Sequence, residues 1–203
     1  MTKLKGILLT EGMHGMISQV EGLAKALDIN YSHHTVETKG FWKVIPPKFT
    51  PISDSVFKKI ECEDVDLIIS CGRKSIIPSL FLKKNSKKKV FNIHIQNPKI
   101  KLDNFDLVVV PEHDNLDGHN VLKTKGAIHY LTSEEIEKDK EYLFSISSKL
   151  RDKNIISLII GGPTQYYDYS DRNIQEIFSK VNYLVKENNL SLVVIPSMRT
   201  PKG

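Results

Sequence analysis

The chain has 203 residues, 40% hydrophobic and 26% charged, with a formal net charge of +5. This composition excludes disorder, collagen and coiled coil, and two cysteines, Cys62 and Cys71, are too few for a secreted disulfide scaffold. No apolar run approaches the roughly 20 residues of a spanning helix, and the lysine-dominated excess of positive charge implies diffuse attraction to anions without any nucleic-acid-binding motif.

Leu4–Thr10 reads as a first β-strand; its apolar core is shorter than that of a signal peptide, and no small-residue cleavage site follows. Gly15–Leu27 carries Met16, Val20, Leu23, Ala24 and Leu27 at helical spacing. Tyr31–Val36 is a second strand, and the proline-rich stretch Gly40–Pro51 is a loop. A short helix is expected over Ser53–Ile60, a buried strand over Val65–Ser70, and a helix over Arg73–Lys84 that tolerates Pro78 only in its first turns. Strands follow at Lys89–Ile95, Phe105–Val110 and Asn120–Lys125. Thr132 and Glu135 form a capping-box pattern for a helix running toward Leu150. Ile155–Ile160 is a new strand, and Asp171 caps a helix with Ile174, Ile177, Val181, Leu184 and Val185 on one face. Leu190–Ile195 is the last strand.

Strands alternating with helices imply an α/β fold with Rossmann-like parallel sheets covered on both faces. Two lobes are expected: residues 1–150, near complete, and residues 151–203, only begun. In such folds ligands bind beyond the carboxyl ends of the strands, so the loops there are the candidate sites.

After the first strand comes Glu11-Gly12-Met13-His14-Gly15, whose glycines turn the backbone into a helix. The spacing is not the dinucleotide fingerprint, and it fits a plain strand-to-helix turn as well as an anion site. Glu11 or His14 could serve there as a general base. Cys71-Gly72-Arg73-Lys74-Ser75 puts two cations at a helix start, suited either to an anion or to a surface ion pair; Cys71 itself reads as a buried structural thiol. Gln96 and Asn97 offer neutral donors and acceptors for hydroxyls, or simple turn chemistry. Glu112-His113-Asp114 invites a triad, but no G-x-S-x-G elbow accompanies it. His94, His113, Asp114 and His119 show no metal-ligand spacing, so no metal is expected. Gly161, Gly162 and Thr164 follow one strand of the second lobe, and Ser197, Arg199 and Thr200 follow the next; together these suit a diphosphate or are simply two polar loops. Lys83, Lys84, Lys87, Lys88 and Lys89 form the one dense charge cluster, beside apolar Ile76, Ile77, Leu80, Phe81 and Leu82. Such a cluster either is solvated or docks on anionic lipid.

The series TEGMHGMISQVEGLAKAL (10–27), CGRKSIIPSLFL (71–82), VFNIHIQNPKI (90–100), FDLVVVPEHD (105–114), NVLKTKGAIHYLT (120–132), IIGGPTQYY (159–167) and PSMRTP (196–201) resembles the elongated-mitochondria fission family. That resemblance implies a GT-B glycosyltransferase architecture of two Rossmann-like lobes. Bacterial members have been labelled nucleoside-diphosphate-sugar epimerases, and the plant member is implicated in recruiting a dynamin-related protein. By resemblance, Glu11, Gly12, His14, Gly15, Gly72, Arg73, Gln96, Asn97 and His113 belong to an acceptor-side cleft, with Glu11 or His14 as base. Gly161, Gly162, Thr164, Ser197, Arg199 and Thr200 would begin a donor diphosphate site. The implied function is metal-independent glycosyl transfer from a nucleotide sugar with no cofactor; the alternatives are epimerisation and a non-catalytic adaptor with a protein partner. Members continue past the SMRTP motif, so the chain is expected to be a fragment with a less stable carboxyl-terminal third. Cytoplasmic placement is expected, with peripheral contact at the inner membrane face through the lysine cluster.

Overall fold

A computed structural model describes residues 3–62, 64–151, 154–163, 169–197 and 200. The chain divides into two compact units, Met1–Leu131 and Thr132–Gly203. The first holds β1 (Lys5–Thr10), α1 (His14–Ala26), β2 (Asn30–Thr35), β3 (Leu67–Cys71), α2 (Ile76–Asn85), β4 (Phe91–Ile95), β5 (Leu107–Pro111) and β6 (Val121–Thr124). These strands form one sheet in the order β2-β1-β3-β4-β5-β6. Every pairing is parallel, with Leu8 opposite both His33 and Ile69. The fold is a Rossmann-like α/β sheet, as the alternation of apolar runs and helical segments implies.

Side-chain alternation along the strands sorts the core into two faces. Ile7, Leu9, Ile68, Val108 and Val110 pack with Ile76, Ile77 and Leu80 of α2. Leu8, Leu67, Ile69, Ile93, Ile95 and Val109 pack with Val20 and Ala24 of α1. Leaving β1 and β3 in opposite directions along the sheet, right-handed crossovers place α1 and α2 on opposite faces. The central strands are buried on both sides, which is why they read as continuous apolar runs. Each such Leu, Ile or Val withdraws about 1.5–3 kcal/mol of apolar surface from water.

The helix expected over Ser53–Ile60 is not formed. Ser53 accepts the Ser55 N–H and starts a single 3-10 turn at Asp54–Val56, which then straightens. Val56 and Phe57 are both buried, and consecutive buried positions do not suit one helical stripe. Instead Lys39 and Lys58 donate backbone N–H bonds to Val56 and Glu37, around a bridge between Thr38 and Phe57. The helix expected from Arg73 begins as a 3-10 turn, Arg73–Ser75, before α2 proper. Pro78 is the third residue of α2, where its missing N–H has no helical acceptor to lose.

The second unit holds α3 (Ser133–Ile146), β7 (Ile155–Ile160), α4 (Asp171–Glu187) and β8 (Ser191–Pro196), with β7 and β8 parallel from Ile155↔Ser191 to Ile160↔Pro196. The capping box is present: Thr132 accepts the Glu135 N–H, and the Glu135 carboxylate accepts the Thr132 N–H. None of these four elements has a buried residue among those described. Also among the described residues, no helix is long and apolar enough to cross a membrane.

Two glycines of α1 separate packing from propensity. A Cβ on Gly22 would lie 2.6 Å from the His129 carbonyl carbon and oxygen, whereas one on Gly15 meets nothing within 4 Å. Gly22→Ala should therefore cost about 1–3 kcal/mol in equilibrium urea unfolding. Gly15→Ala should be neutral or stabilising by up to about 1 kcal/mol. Equal effects at the two positions would show that α1 does not seat on His129 and Tyr130.

His94 provides a pH test of the core. Fully enclosed on β4, its ring stacks on Phe105 at 5.1 Å and its Nδ1 lies 2.9 Å from the Ser70 hydroxyl. Burial pulls its pKa from 6.5 down to about 3, so the folded state refuses a proton that the unfolded chain accepts. The stability this confers is full above the ordinary histidine value and is lost as pH falls through that window, by up to about 1.4 kcal/mol per pH unit. His94→Gln should flatten the pH dependence of unfolding between about pH 6 and 4 by about one proton. An unchanged slope would mean that the ring is already protonated or solvated.

Candidate functional site

Strand order reverses between β1 and β3, because the crossover from β1 goes to β2 on one side and the crossover from β3 goes to β4 on the other. A crevice opens beyond the carboxyl ends of such a pair. Here it is bridged by one side chain. Glu11, leaving β1, accepts the backbone N–H of Lys74 at 3.0 Å through Oε1, and its Oε2 lies 3.2 Å from the Lys74 Nζ. The carboxylate thus satisfies a donor at the start of α2, where negative charge is also favoured by the helix dipole.

The glycines on either side make that approach feasible. Gly72 has φ +93°, and a Cβ there would stand 2.7 Å from the Met16 Sδ and 3.0 Å from the Glu11 Oε1. Gly12 has φ +83° and donates its N–H to the Thr10 Oγ1, which also lies 2.8 Å from the His33 Nε2. Ser75 closes the α2 turn by donating its hydroxyl to the Gly72 carbonyl at 2.7 Å. Burial, with the charge of Glu11 second, pushes the Cys71 thiol up to about 12, so it is a protonated core group rather than a nucleophile.

Beside this bridge lies a cleft of about 470 Å³. Gly72 and Arg73 from the β3 loop meet Gln96 and Asn97 from the β4 loop in its lining. Pro46, Pro47 and Lys48 reach it from the long β2–β3 connection, Lys99 closes it, and His94 forms part of its floor. Arg73, Lys48 and Lys99 give the lining three cations, and no carboxylate is among its residues. Arg73 is oriented by donating from Nη2 to the Lys43 carbonyl at 2.8 Å. Gln96 sits at φ +86°, a costly conformation for a side-chain-bearing residue, pinned by its N–H bond to the Val109 carbonyl. Asn97 completes the turn by accepting the Lys99 N–H at 2.9 Å.

The structure thus brings together Gly72, Arg73, Gln96 and Asn97 in one cleft, with Glu11 and Gly12 at its bridged neighbour. His14 and Gly15 open α1 and are exposed. His113 does not line the cleft; it lies in an exposed turn after β5, 3.8 Å from Asp114. Among the described residues, no group of three or more His, Cys, Asp or Glu is arranged to hold a metal ion. Lys48 and Lys99 are the cleft residues that sequence reasoning does not reach, since neither stands in a recognisable motif.

In the second unit, the loops after β7 and β8 are tied together. The Thr200 Oγ1 lies 2.8 Å from the Ile160 carbonyl and 2.9 Å from that of Gly161, and Ser197 donates its N–H to the Thr200 Oγ1 at 2.8 Å. Gly161 has open space where a Cβ would be. Gly162 directly follows Gly161 and is half-buried. Thr164 and Arg199 lie outside the described residues.

The sequence profile described as Mitochondrial fission ELM1 matches residues 14–203. The Arabidopsis thaliana protein named Mitochondrial fission protein ELM1 is 35% identical over 48 residues, covering 24% of this chain and 11% of the plant protein's length. No solved structure matches the chain. Because the profile runs from the start of α1 to the final residue, the chain belongs to the mitochondrial fission ELM1 family.

Proposed function

We propose that the first unit binds a phosphorylated sugar, and that the family chain of which it is part transfers a glycosyl group from a nucleotide sugar. The observation that supports this is the cleft itself: three cations, two side-chain amides and no lining carboxylate, placed beside a parallel-sheet switch point. Guanidinium and ammonium groups pair with phosphate oxygens, while Gln96 and Asn97 can both donate to and accept from sugar hydroxyls.

Under this reading, an acceptor hydroxyl attacks the anomeric carbon, the bond to the diphosphate oxygen breaks, and the diphosphate leaves with the electron pair. Stabilising that departing charge is the main demand on the protein. The proton of the acceptor hydroxyl goes to the loop after β1. Glu11, held by Lys74, positions that loop, and exposed His14 is the group there able to receive the proton.

A second reading is a docking protein with no turnover. The plant relative's name, Mitochondrial fission protein ELM1, favours it, and this fold does not dictate chemistry.

Isothermal titration of the full chain with glucose 1-phosphate, UDP-glucose and UDP-N-acetylglucosamine separates the two readings. Saturable, salt-sensitive binding is expected with at least one of them, weakened about tenfold or more by Arg73→Ala. Absence of saturable binding to all three would remove the sugar-ligand reading and leave the docking one.

A further inference from the structure

The β2–β3 connection carries a feature that the cleft does not use. Phe41, Val44 and Phe49 are 65%, 73% and 68% exposed, with Ile52 also outward. Three large apolar side chains this open within one short segment are unusual for a surface that meets only water. The segment is not loose. Two 3-10 turns, Gly40–Lys43 and Pro47–Phe49, shape it. Trp42 packs against the core, the Arg73 guanidinium holds the Lys43 carbonyl, and the Thr50 hydroxyl donates to the Pro46 carbonyl. The inner residues anchor a ridge whose outer residues are held in water.

The charges indicate what meets that ridge. Lys39, Lys43 and Lys48 alternate with the apolar residues, and residues 38–53 include no Asp or Glu. Lysine is depleted in the dry centres of protein–protein interfaces. At a bilayer surface the same pattern is favourable, since aromatic and aliphatic side chains enter the headgroup boundary while lysines extend to lipid phosphates. We propose that the 39–52 ridge docks this protein on an anionic lipid bilayer.

The five-lysine cluster at the end of α2 is a poorer fit for that contact. Lys83 and Lys88 are paired with Asp106 and Asp66, each at 2.7 Å. The neighbouring Ile76, Ile77 and Leu80 are buried, and Phe81 and Leu82 pack on the core. The cluster also lies at the amino ends of the strands, where Asp66 accepts the Lys5 N–H and Asp106 the Asn92 N–H, opposite the cleft. The ridge instead shares Pro46, Pro47 and Lys48 with the cleft lining, so docking would bring that opening to the lipid surface. The proposal stands on the ridge alone and does not require the sugar-binding reading.

Trp42 is the single tryptophan of the chain and sits on the ridge, its ring 4.3 Å from that of Phe41. Its fluorescence therefore reports the contact directly. The full chain is mixed with vesicles of phosphatidylcholine alone or with phosphatidylglycerol added, and bound protein is separated by flotation. The expected result is co-flotation with the anionic vesicles, accompanied by a blue shift of Trp42 emission. Phe41→Ser with Phe49→Ser should lower the vesicle-bound partition about tenfold or more. Should that pair disturb folding, Val44→Asp at the most exposed position should do the same with the thermal midpoint unchanged. Replacing Lys83, Lys84, Lys87, Lys88 and Lys89 with Ser should leave both the blue shift and most of the binding. Either of two results overturns the proposal: no co-flotation with anionic vesicles, which would leave the ridge to a protein partner, or binding lost in the five-lysine variant and kept in the ridge variants.

Discussion

One carboxylate ties together the loops that follow β1 and β3 in the first unit. At the switch point the chain must leave β1 for one face of the sheet and β3 for the other, which would leave the start of α2 facing an open gap. Glu11 closes it by accepting the Lys74 N–H and pairing with the Lys74 ammonium. A backbone donor bonded to an ionised acceptor contributes about 1.5–3 kcal/mol, more than an ordinary hydrogen bond. The remaining local features follow from making room for it. Gly72 sits at φ +93°, where a side chain is strained, and a Cβ there would also press on the Met16 sulfur and the carboxylate. Arg73, the next residue, is then turned toward the Lys43 carbonyl and into the cleft lining.

The walls of the neighbouring cleft are fixed within the fold. Three separate devices fix its walls: the Glu11 bridge, the Arg73 bond to the β2–β3 connection, and the pinned left-handed Gln96. His94, held neutral by burial, is among the lining residues. The second unit is built differently. Its two strands pair in good register, yet its described side chains are at most half-buried, and its loop residues are held by hydrogen bonds among themselves.

Much of this was legible in the sequence, and for identifiable reasons. The apolar runs at Leu67–Cys71 and Leu107–Pro111 could only be doubly buried parallel strands, and parallel strands bring their following loops to one end. That is why Gly72 and Arg73, after one strand, and Gln96 and Asn97, after the next, meet in a single cleft. The 3-10 turn at Asp54–Val56 was hidden because the competing bridge to Thr38 is a tertiary pairing, invisible to helical spacing. Lys48 and Lys99 were hidden because a long proline-containing connection and a left-handed turn carry them to the cleft. Glu11 stood out as a chemical group, but its partner lies 63 residues away in the chain. Local pattern therefore offered Glu11 or His14 as a base and could not show the bridge to Lys74. His113, placed by resemblance with the acceptor-side residues, lies in an exposed turn outside the cleft lining.

If the Glu11 bridge organises this end of the sheet, the Lys74 amide is where it must be visible. Its exchange with solvent can be followed residue by residue by NMR in the native chain and in Glu11→Ala. The expected outcome is a protected Lys74 amide in the native protein and its rapid exchange in the variant, with the Ile68 and Ile69 amides of β3 slow in both. A Lys74 amide that exchanges like an open loop in the native chain, or keeps its protection without the carboxylate, would contradict the account.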